Sequence, residues 1–243
     1  MKNSMYGTPG GTLVEKTICC SSSECGGNFG RGRVLLHFCF VIFSQCLFMK
    51  IAIFGHSYVR DLELLGHSDF VISEVPVSFQ YFAFPGAGFR KFLNNPRLLD
   101  EVVLEKPDIL VIILGGNDIK VNVELKEIKE NCKEFFRLFR SKLPDSFFVA
   151  TQVEFRHSEK VNRHGSPSEK LFRKLALHFN NWLNRQKFKD KIFVVNGNTK
   201  LCDVGLFQKD GVHLNLEGLE VYFDLLISAL SGPVESLKQK NGL

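Results

Sequence analysis

A serine that could act as a nucleophile follows the first apolar run in the main body of the chain. It is Ser57, in the sequence Gly-His-Ser-Tyr at 55–58, where a strand would give way to a helix and present a hydroxyl above a sheet. The N-terminus of that helix would offer backbone N–H groups to a developing negative charge. Serine is also a preferred helix N-cap residue, so this motif alone favours a structural cap.

A histidine near the C-terminus could serve as the general base for such a serine. In Asp-Gly-Val-His at 210–213, the three-residue spacing lets the Asp210 carboxylate reach Nδ1 of His213, which leaves Nε2 free to accept a proton. The same stretch is equally typical of an ordinary turn before a helix, with Asn215 as the cap. On this motif alone both interpretations stay open.

Two glycine-containing turns follow other apolar runs and could supply donors to an oxyanion. In Pro-Gly-Ala-Gly at 85–88, glycine lets the backbone approach a ligand and expose an N–H, although a plain turn explains the motif equally well. The same stretch begins like a dinucleotide-binding fingerprint, but the third glycine is missing. In Gly-Gly-Asn-Asp at 115–118, Asn117 is either a neutral side-chain donor or a turn residue.

The order of these motifs along the chain, Ser, Gly, Asn, Asp and His, makes coincidence improbable. It resembles the SGNH, or GDSL-type, hydrolase family over residues 49–230, and that resemblance does not reach the N-terminal part of the chain. What it implies for the chemistry is a nucleophile at Ser57 and a general base at His213, oriented by Asp210.

The resemblance also implies an oxyanion hole and marks one departure from the family pattern. The implied donors are the Ser57 backbone N–H, Gly86 and Asn117, with Gly88 as the second candidate for the glycine. No metal and no organic cofactor is expected. The usual Gly-Asp-Ser of the first motif is Gly-His-Ser here, so His56 stands at the acidic position. Since the triad acid is implied at Asp210, the chemistry survives this change.

Apolar strands alternate with amphipathic helices after Met49, which predicts a parallel sheet covered by helices on both faces, with the site at the carboxyl ends of the strands. The resemblance implies a three-layer α/β/α sandwich with a flavodoxin-like, mostly parallel five-stranded sheet. The candidate strands are 50–54, 71–75, 81–84, 109–114, 147–151 and 192–195, and the candidate helices are 58–65, 88–104, 125–143, 167–187 and 216–230. A polar stretch after the fifth strand, 155–165, either rims the substrate pocket or is a solvated loop.

Composition narrows the class of protein and its partners. The 243 residues are 44% hydrophobic and 23% charged, an ordinary globular balance, and a net charge of +5 is too small to indicate a nucleic-acid partner. Five of the seven cysteines precede Met49, so the main body is not a disulfide framework. The oligomeric state stays open.

Three segments are expected along the chain. Residues 1–48 form a poorly ordered extension with an apolar run at 34–48, residues 49–231 an SGNH hydrolase-like domain, and residues 232–243 a flexible tail. If translation starts at Met49, a cytoplasmic protein is favoured. Membrane association through the apolar run, as an anchored or secreted protein, is the alternative.

The sequence therefore predicts a serine esterase that hydrolyses a carboxylic ester through an acyl-enzyme. Its partner would be a small-molecule, glycan or lipid ester. The alternative from another class is a non-catalytic protein of the same fold that binds an acyl or glycan ligand, and His56 is the residue that favours it. A nucleotide-binding enzyme would need a phosphate cradle that residues 85–88 do not complete.

Overall fold

The computed structural model describes residues 48–157, 168–186, 192–197 and 200–242, which all belong to the unit Cys46–Leu243. Its centre is a single six-stranded sheet. The strands are β1 (Met49–Gly55), β2 (Asp69–Ile72), β3 (Val75–Ala83), β4 (Ile109–Ile113), β5 (Phe147–Thr151) and β6 (Ile192–Val195). Their spatial order is β2-β3-β1-β4-β5-β6.

The sheet confirms the predicted flavodoxin-like architecture and adds one strand to it. The strands β3, β1, β4, β5 and β6 pair in parallel, in the order 2-1-3-4-5 that doubly wound folds of this type use. The sixth strand, β2, pairs antiparallel with β3 at the edge, with Phe70 opposite Val77. The predicted count of five strands is therefore correct for the parallel part and one short for the whole sheet.

A tight turn explains why the predicted strand 71–75 at this edge is misplaced. Ser73 and Glu74 connect β2 to β3 with φ angles of 49° and 67°. Two successive positive φ values are typical of a type I′ hairpin turn, in which Asn-Gly or Asp-Gly is the usual sequence. Because Ser-Glu carries no such signal, the candidate strand 71–75 ran across the turn.

Helices cover both faces of the sheet. They are α1 (Ser57–Glu63), α2 (Phe89–Asn94), α3 (Asp100–Glu105), α4 (Leu125–Lys142), α5 (Glu169–Gln186) and α6 (Leu216–Asn241). Alternate residues of β1 point to opposite faces: Ile51 and Ile53 pack with α1 and α6, whereas Ala52 and Phe54 pack with α2 to α5. This alternation gives two separate cores and confirms the predicted three layers.

The predicted helix 88–104 is interrupted near its middle. The structure has α2, then a 3₁₀ turn at Pro96–Leu99, then α3. Proline has no N–H to donate and disfavours helical geometry in the residue before it. Asn95, immediately before Pro96, accordingly leaves the helical region with φ −138° and ψ 76°.

The predicted flexible tail at 232–243 is wrong for residues 232–241, because α6 continues to Asn241. Gly232 and Pro233 suggested a helix end, yet Val234 and Leu237 are 0% and 4% exposed. They extend, at spacings of four and three, the apolar face that Leu226 and Leu230 begin. Burial of that face outweighs the loss of one helical hydrogen bond at the proline.

The predicted extension 1–48 lies outside the described residues except for its last residue, Phe48. The apolar run 34–48, and with it the membrane interpretation, lies outside them for the same reason. Within the described ranges, no helix has the length and apolar character needed to cross a bilayer.

Candidate active site

The predicted site residues meet in one cavity at the carboxyl ends of the parallel strands. The cavity has a volume of about 470 Å³, and its wall includes Ser57, Gly86, Asn117, Asp210 and His213. These residues follow β1, β3 and β4 or precede α6. The structure therefore brings these five predicted site residues together.

The hydroxyl of Ser57 faces the histidine rather than capping its own helix. Ser57 is the first residue of α1, and the N-cap is His56, whose Nδ1 accepts the N–H of Tyr58 at 3.4 Å. Ser57 Oγ lies 3.1 Å from His213 Nε2, within hydrogen-bond reach. The capping interpretation of Ser57 is thus wrong, and its hydroxyl is available to the cavity.

Close packing of two strands fixes the position of this turn. The His56 N–H donates to the Ile113 carbonyl at 3.2 Å. A side chain at Gly55 would overlap that same carbonyl oxygen, so glycine is needed for the end of β1 to lie against β4. The serine is consequently held at a fixed height above the sheet.

His213 is oriented by hydrogen bonds made within four residues of chain. Its Nδ1 lies 2.6 Å from Asp210 Oδ2, while Asp210 Oδ1 accepts the backbone N–H groups of Val212 at 2.8 Å and His213 at 3.0 Å. Partial burial alone would raise the pKa of the Asp210 carboxyl, but the hydrogen bonds from His213 and Val212 outweigh it and lower the pKa. The carboxylate therefore stays charged beside the imidazole.

The alternative interpretation of this stretch is correct as well. Asn215 caps α6, because its Oδ1 accepts the Gly218 N–H at 2.9 Å. The turn before the cap nevertheless forms the pair of Asp210 and His213. Structural and chemical interpretations are compatible here.

Of the two candidate glycines, Gly86 lines this cavity. It is the third residue of a turn closed by the Ala87 N–H to the Phe84 carbonyl at 3.0 Å, and its φ of 74° after a proline is typical of a type II turn. Gly88 is instead the N-cap of α2, and a Cβ there would lie 2.5 Å from the Asp118 carboxylate oxygens. Close packing accounts for the glycine at position 88, whereas Gly86 is the glycine that borders the open cavity.

Asn117 is fixed from both ends of its amide. Nδ2 donates to the Ala87 carbonyl at 3.1 Å, and Oδ1 accepts from Arg156 Nη2 at 3.4 Å. The amide has a second N–H on Nδ2, and Asn117 lines the cavity. The next residue, Asp118, accepts the Phe89 N–H at 3.1 Å and ties this loop to the start of α2. Burial raises the pKa of Asp118 to about 6.

The cavity wall also includes residues that were not among the predicted site residues, such as Tyr58, Glu154, Arg156 and Tyr222. Burial raises the pKa of Glu154 to about 8, so its carboxyl is protonated at neutral pH. Tyr58 donates to the Val212 carbonyl at 2.6 Å and supports the turn that carries His213. Arg156 donates to the Gly116 carbonyl at 3.0 Å.

The position of Arg156 answers the question that the stretch after β5 left open. Of this stretch, Arg156 lines the cavity, while residues 158–165 lie outside the described part of the chain. The rule that sites gather at the carboxyl ends of strands could have selected Arg156. Among the described residues, no group of three or more His, Cys, Asp or Glu side chains is placed to hold a metal ion.

No protein-family model and no curated protein matches the chain in sequence. Solved structures do match its fold. A lipase/acylhydrolase from Enterococcus faecalis is 21% identical with a TM-score of 0.54, covering 76% of this chain and 96% of its own. The acetyl xylan esterase AlAXEase is 16% identical with a TM-score of 0.55, covering 74% and 99%.

A third structure, of a protein assigned to the G-D-S-L family of lipolytic proteins from Desulfitobacterium hafniense, is 13% identical with a TM-score of 0.54 and covers 75% of this chain and 99% of its own. The resemblance predicted from the motifs is therefore confirmed at the level of the fold. The chain has the fold of GDSL-type hydrolases.

Proposed function

We propose that the protein is a serine esterase that cleaves a carboxylic ester in the cavity above β1, β3 and β4. The observation that carries this proposal is the continuous relay from Ser57 Oγ to His213 Nε2 at 3.1 Å and from His213 Nδ1 to Asp210 Oδ2 at 2.6 Å. A nucleophile, a base within hydrogen-bond reach and a group that orients the base form the arrangement needed for acyl transfer.

The first half of the reaction makes an acyl-enzyme. Ser57 Oγ attacks the carbonyl carbon while His213 Nε2 takes the hydroxyl proton, and Asp210 stabilises the imidazolium that results. The negative charge on the carbonyl oxygen is stabilised by Asn117 Nδ2 and by the backbone N–H groups of Ser57 and Gly86. A donor of this kind is worth about 3 to 4 kcal/mol in the transition state. The bond to the alcohol oxygen then breaks as His213 returns the proton to it.

The second half hydrolyses the acyl-enzyme. A water molecule attacks the acyl carbon and gives its proton to His213, and the same donors hold the oxyanion again. The bond to Ser57 Oγ breaks, the carboxylic acid leaves, and the proton passes from His213 to the serine. Atoms and charge balance without a cofactor.

The structural neighbours support this class of reaction, since their names describe lipolytic or acylhydrolase proteins and an acetyl xylan esterase. His56 does not favour a non-catalytic protein, because its imidazole caps α1 and leaves the contacts of Ser57 in place. The acyl group and the alcohol are chosen by the rest of the cavity.

The test is turnover of short- and long-chain aryl esters together with labelling by a fluorophosphonate probe. We expect the wild-type chain to react with both. Ser57→Ala and His213→Ala should each lower kcat/KM by about 10⁴-fold or more, and the double variant should cost little beyond either single one, because nucleophile and base act as a unit. Ser141→Ala, on the exposed side of α4, is the matched control. Full activity in Ser57→Ala, or no labelling of the wild type, would overturn the proposal in favour of a binding protein.

A further inference from the structure

A cationic side chain faces the cavity beside the oxyanion donors without a carboxylate partner. Arg156 donates to the Gly116 carbonyl at 3.0 Å and to Asn117 Oδ1 at 3.4 Å, and its guanidinium lies over the Phe172 ring, 4.3 Å from the centroid. Both hydrogen-bond acceptors are neutral. Within the described residues, no carboxylate oxygen lies at ion-pair distance from it. Burial lowers the pKa of Arg156, but a guanidinium remains charged in proteins.

The described acidic groups around the cavity do not contact this guanidinium, although the charge of Asp210 acts on it from a distance and, against the larger effect of burial, raises the pKa of Arg156. Asp210 directs one oxygen at the His213 ring and the other at backbone N–H groups. Asp61 is paired with Arg60 at 2.6 Å. Glu154 is uncharged at neutral pH because burial raises its pKa to about 8. Among the described residues, the guanidinium therefore has no carboxylate in contact with it, next to the place where the ester would bind.

A second donor points to the same small space. A side chain beginning at Gly116 would start 3.6 Å from Arg156 Nη2 and 3.8 Å from His56 Nε2. Apart from the chain neighbours of Gly116, the nearest atoms to that position are these two donors and Val153 Cγ1, the last at 3.8 Å. The space beside Gly116 is therefore bounded by residues that all line the cavity.

The imidazole of His56 acts here as a neutral donor. Burial, with the nearby charge of Arg156, lowers the pKa of His56 to about 3. Its Nδ1 accepts the Tyr58 N–H, so the proton of the neutral ring is on Nε2, facing the space beside Gly116. A carboxylate at this position would place a negative charge near the guanidinium, whereas the neutral imidazole adds none.

We propose that Arg156 and His56 form an anion subsite beside the oxyanion hole, which selects esters carrying a carboxylate or phosphate group close to the scissile carbonyl. The guanidinium would pair with the anionic oxygens, and the imidazole Nε2–H would donate to one of them. Arginine suits such a group because its planar fork matches carboxylate and phosphate geometry. This inference rests on the proposed esterase function and adds the chemical class of the substrate.

The test compares two esters that differ in one charge, 4-nitrophenyl hydrogen glutarate and 4-nitrophenyl methyl glutarate. We expect the wild-type kcat/KM to be about 10- to 100-fold higher for the acid, the range expected of hydrogen bonds to a charged group. Competitive inhibition by acetate and by inorganic phosphate, measured with the neutral ester, tells which anion the subsite prefers. A wild-type ratio near one would overturn the proposal.

Variants test which residues cause the preference for the acidic ester. In Arg156→Gln the ratio of acid to neutral ester should fall to about one; the ratio is the readout because both rates also fall when Asn117 loses its support. His56→Asp and His56→Asn form a matched pair, since both residues are good N-caps. The aspartate should abolish the preference, whereas the asparagine, which removes the Nε2–H donor but adds no charge, should only lower it. Arg173→Gln removes the same charge outside the cavity wall and should keep the ratio. A ratio that survives in Arg156→Gln, or one that falls equally in Arg173→Gln, would contradict the subsite.

Direct binding separates this proposal from the esterase reaction. Monomethyl glutarate should bind to the Ser57→Ala protein in calorimetry about 10- to 100-fold more tightly than dimethyl glutarate, and Arg156→Gln in that background should remove the difference. Binding without turnover by the wild type would refute the proposed reaction and support the subsite. Turnover with no such difference in binding would do the reverse.

Discussion

The two sides of the candidate active site are built in different ways. The base side is local: Asp210 and His213 are three residues apart, and hydrogen bonds within that single turn orient the ring. The oxyanion side is tertiary: Asn117 depends on the Ala87 carbonyl, 30 residues away, and on Arg156, 39 residues away.

Exposure follows the same division. The Asp210 side chain is 46% exposed. Water can therefore replace part of the hydrogen bonding and charge stabilisation that Asp210 gives to His213. The loop of the oxyanion side runs into buried Asp118, which is 9% exposed and accepts an N–H from α2. The comparison indicates that the solvated carboxylate that orients the base tolerates substitution better than a donor that depends on distant, buried contacts.

After the Ser57 and His213 variants, the largest loss of turnover is expected from a substitution on the oxyanion side. Asn117→Ala should lower kcat by about 100- to 1000-fold with little change in KM, because the donor acts mainly on the transition state. Asn117→Asp has nearly the same shape but no N–H to donate, and should lose at least as much. Steady-state kinetics with one aryl ester measures both.

Asn181→Ala, on the exposed face of α5, controls for the loss of an amide elsewhere. A change confined to KM in both Asn117 variants would make this residue part of substrate binding instead.

A smaller effect is expected from Asp210, the residue that orients the base. Asp210→Asn should lower kcat by about 100-fold, less than the roughly 10⁴-fold known for a buried triad aspartate, because solvent screens a half-exposed carboxylate. The lowered pKa of Asp210 also means that its carboxylate stays ionised until the pH falls below the ordinary range for aspartate. Its protonation should therefore affect the wild-type rate only in acid.

Asp203→Asn is the matched control, because Asp203 also accepts a nearby backbone N–H, that of Gly205 at 2.8 Å, without lining the cavity. A loss in Asp210→Asn as large as that in Asn117→Ala would remove the difference between the two sides.

This division also decides what the sequence could predict. The spacing of Asp210 and His213 showed that the two side chains could meet within one turn, and the order of the other motifs was needed to favour the pair over an ordinary turn. The alternation of strands and helices likewise predicted the layers and the edge of the sheet where the site lies. The catalytic and oxyanion roles of these residues stay predictions.

Features that depend on contacts between distant segments could not be predicted in the same way. Arg156 meets Gly116, 40 residues away, only because β4 and β5 are neighbours in the sheet. His56 caps α1 although histidine is not a usual N-cap residue. The last helix passes Gly232 and Pro233 because of the face that it buries, which outweighs local preference.

The smallest effect is expected from Gly86→Ala, and it decides which glycine serves the oxyanion hole. Gly86 and Gly66 have φ angles of 74° and 73°, and neither has an atom within 4 Å of an added Cβ. Alanine at either position should therefore cost about 1 kcal/mol of unfolding free energy through backbone strain alone. Thermal or urea unfolding measures this cost, and the two variants should agree.

Turnover should distinguish these two variants, since only Gly86 lines the cavity. Because alanine keeps the backbone N–H, Gly86→Ala should lower kcat by less than about 10-fold, and Gly66→Ala should not lower it. Gly88→Ala should lose more stability than either, because its Cβ would lie 2.5 Å from the Asp118 carboxylate. If Gly88→Ala lowered kcat when fully folded while Gly86→Ala did not, the donor would be Gly88, and the oxyanion side would depend on the start of α2 rather than on the turn after β3.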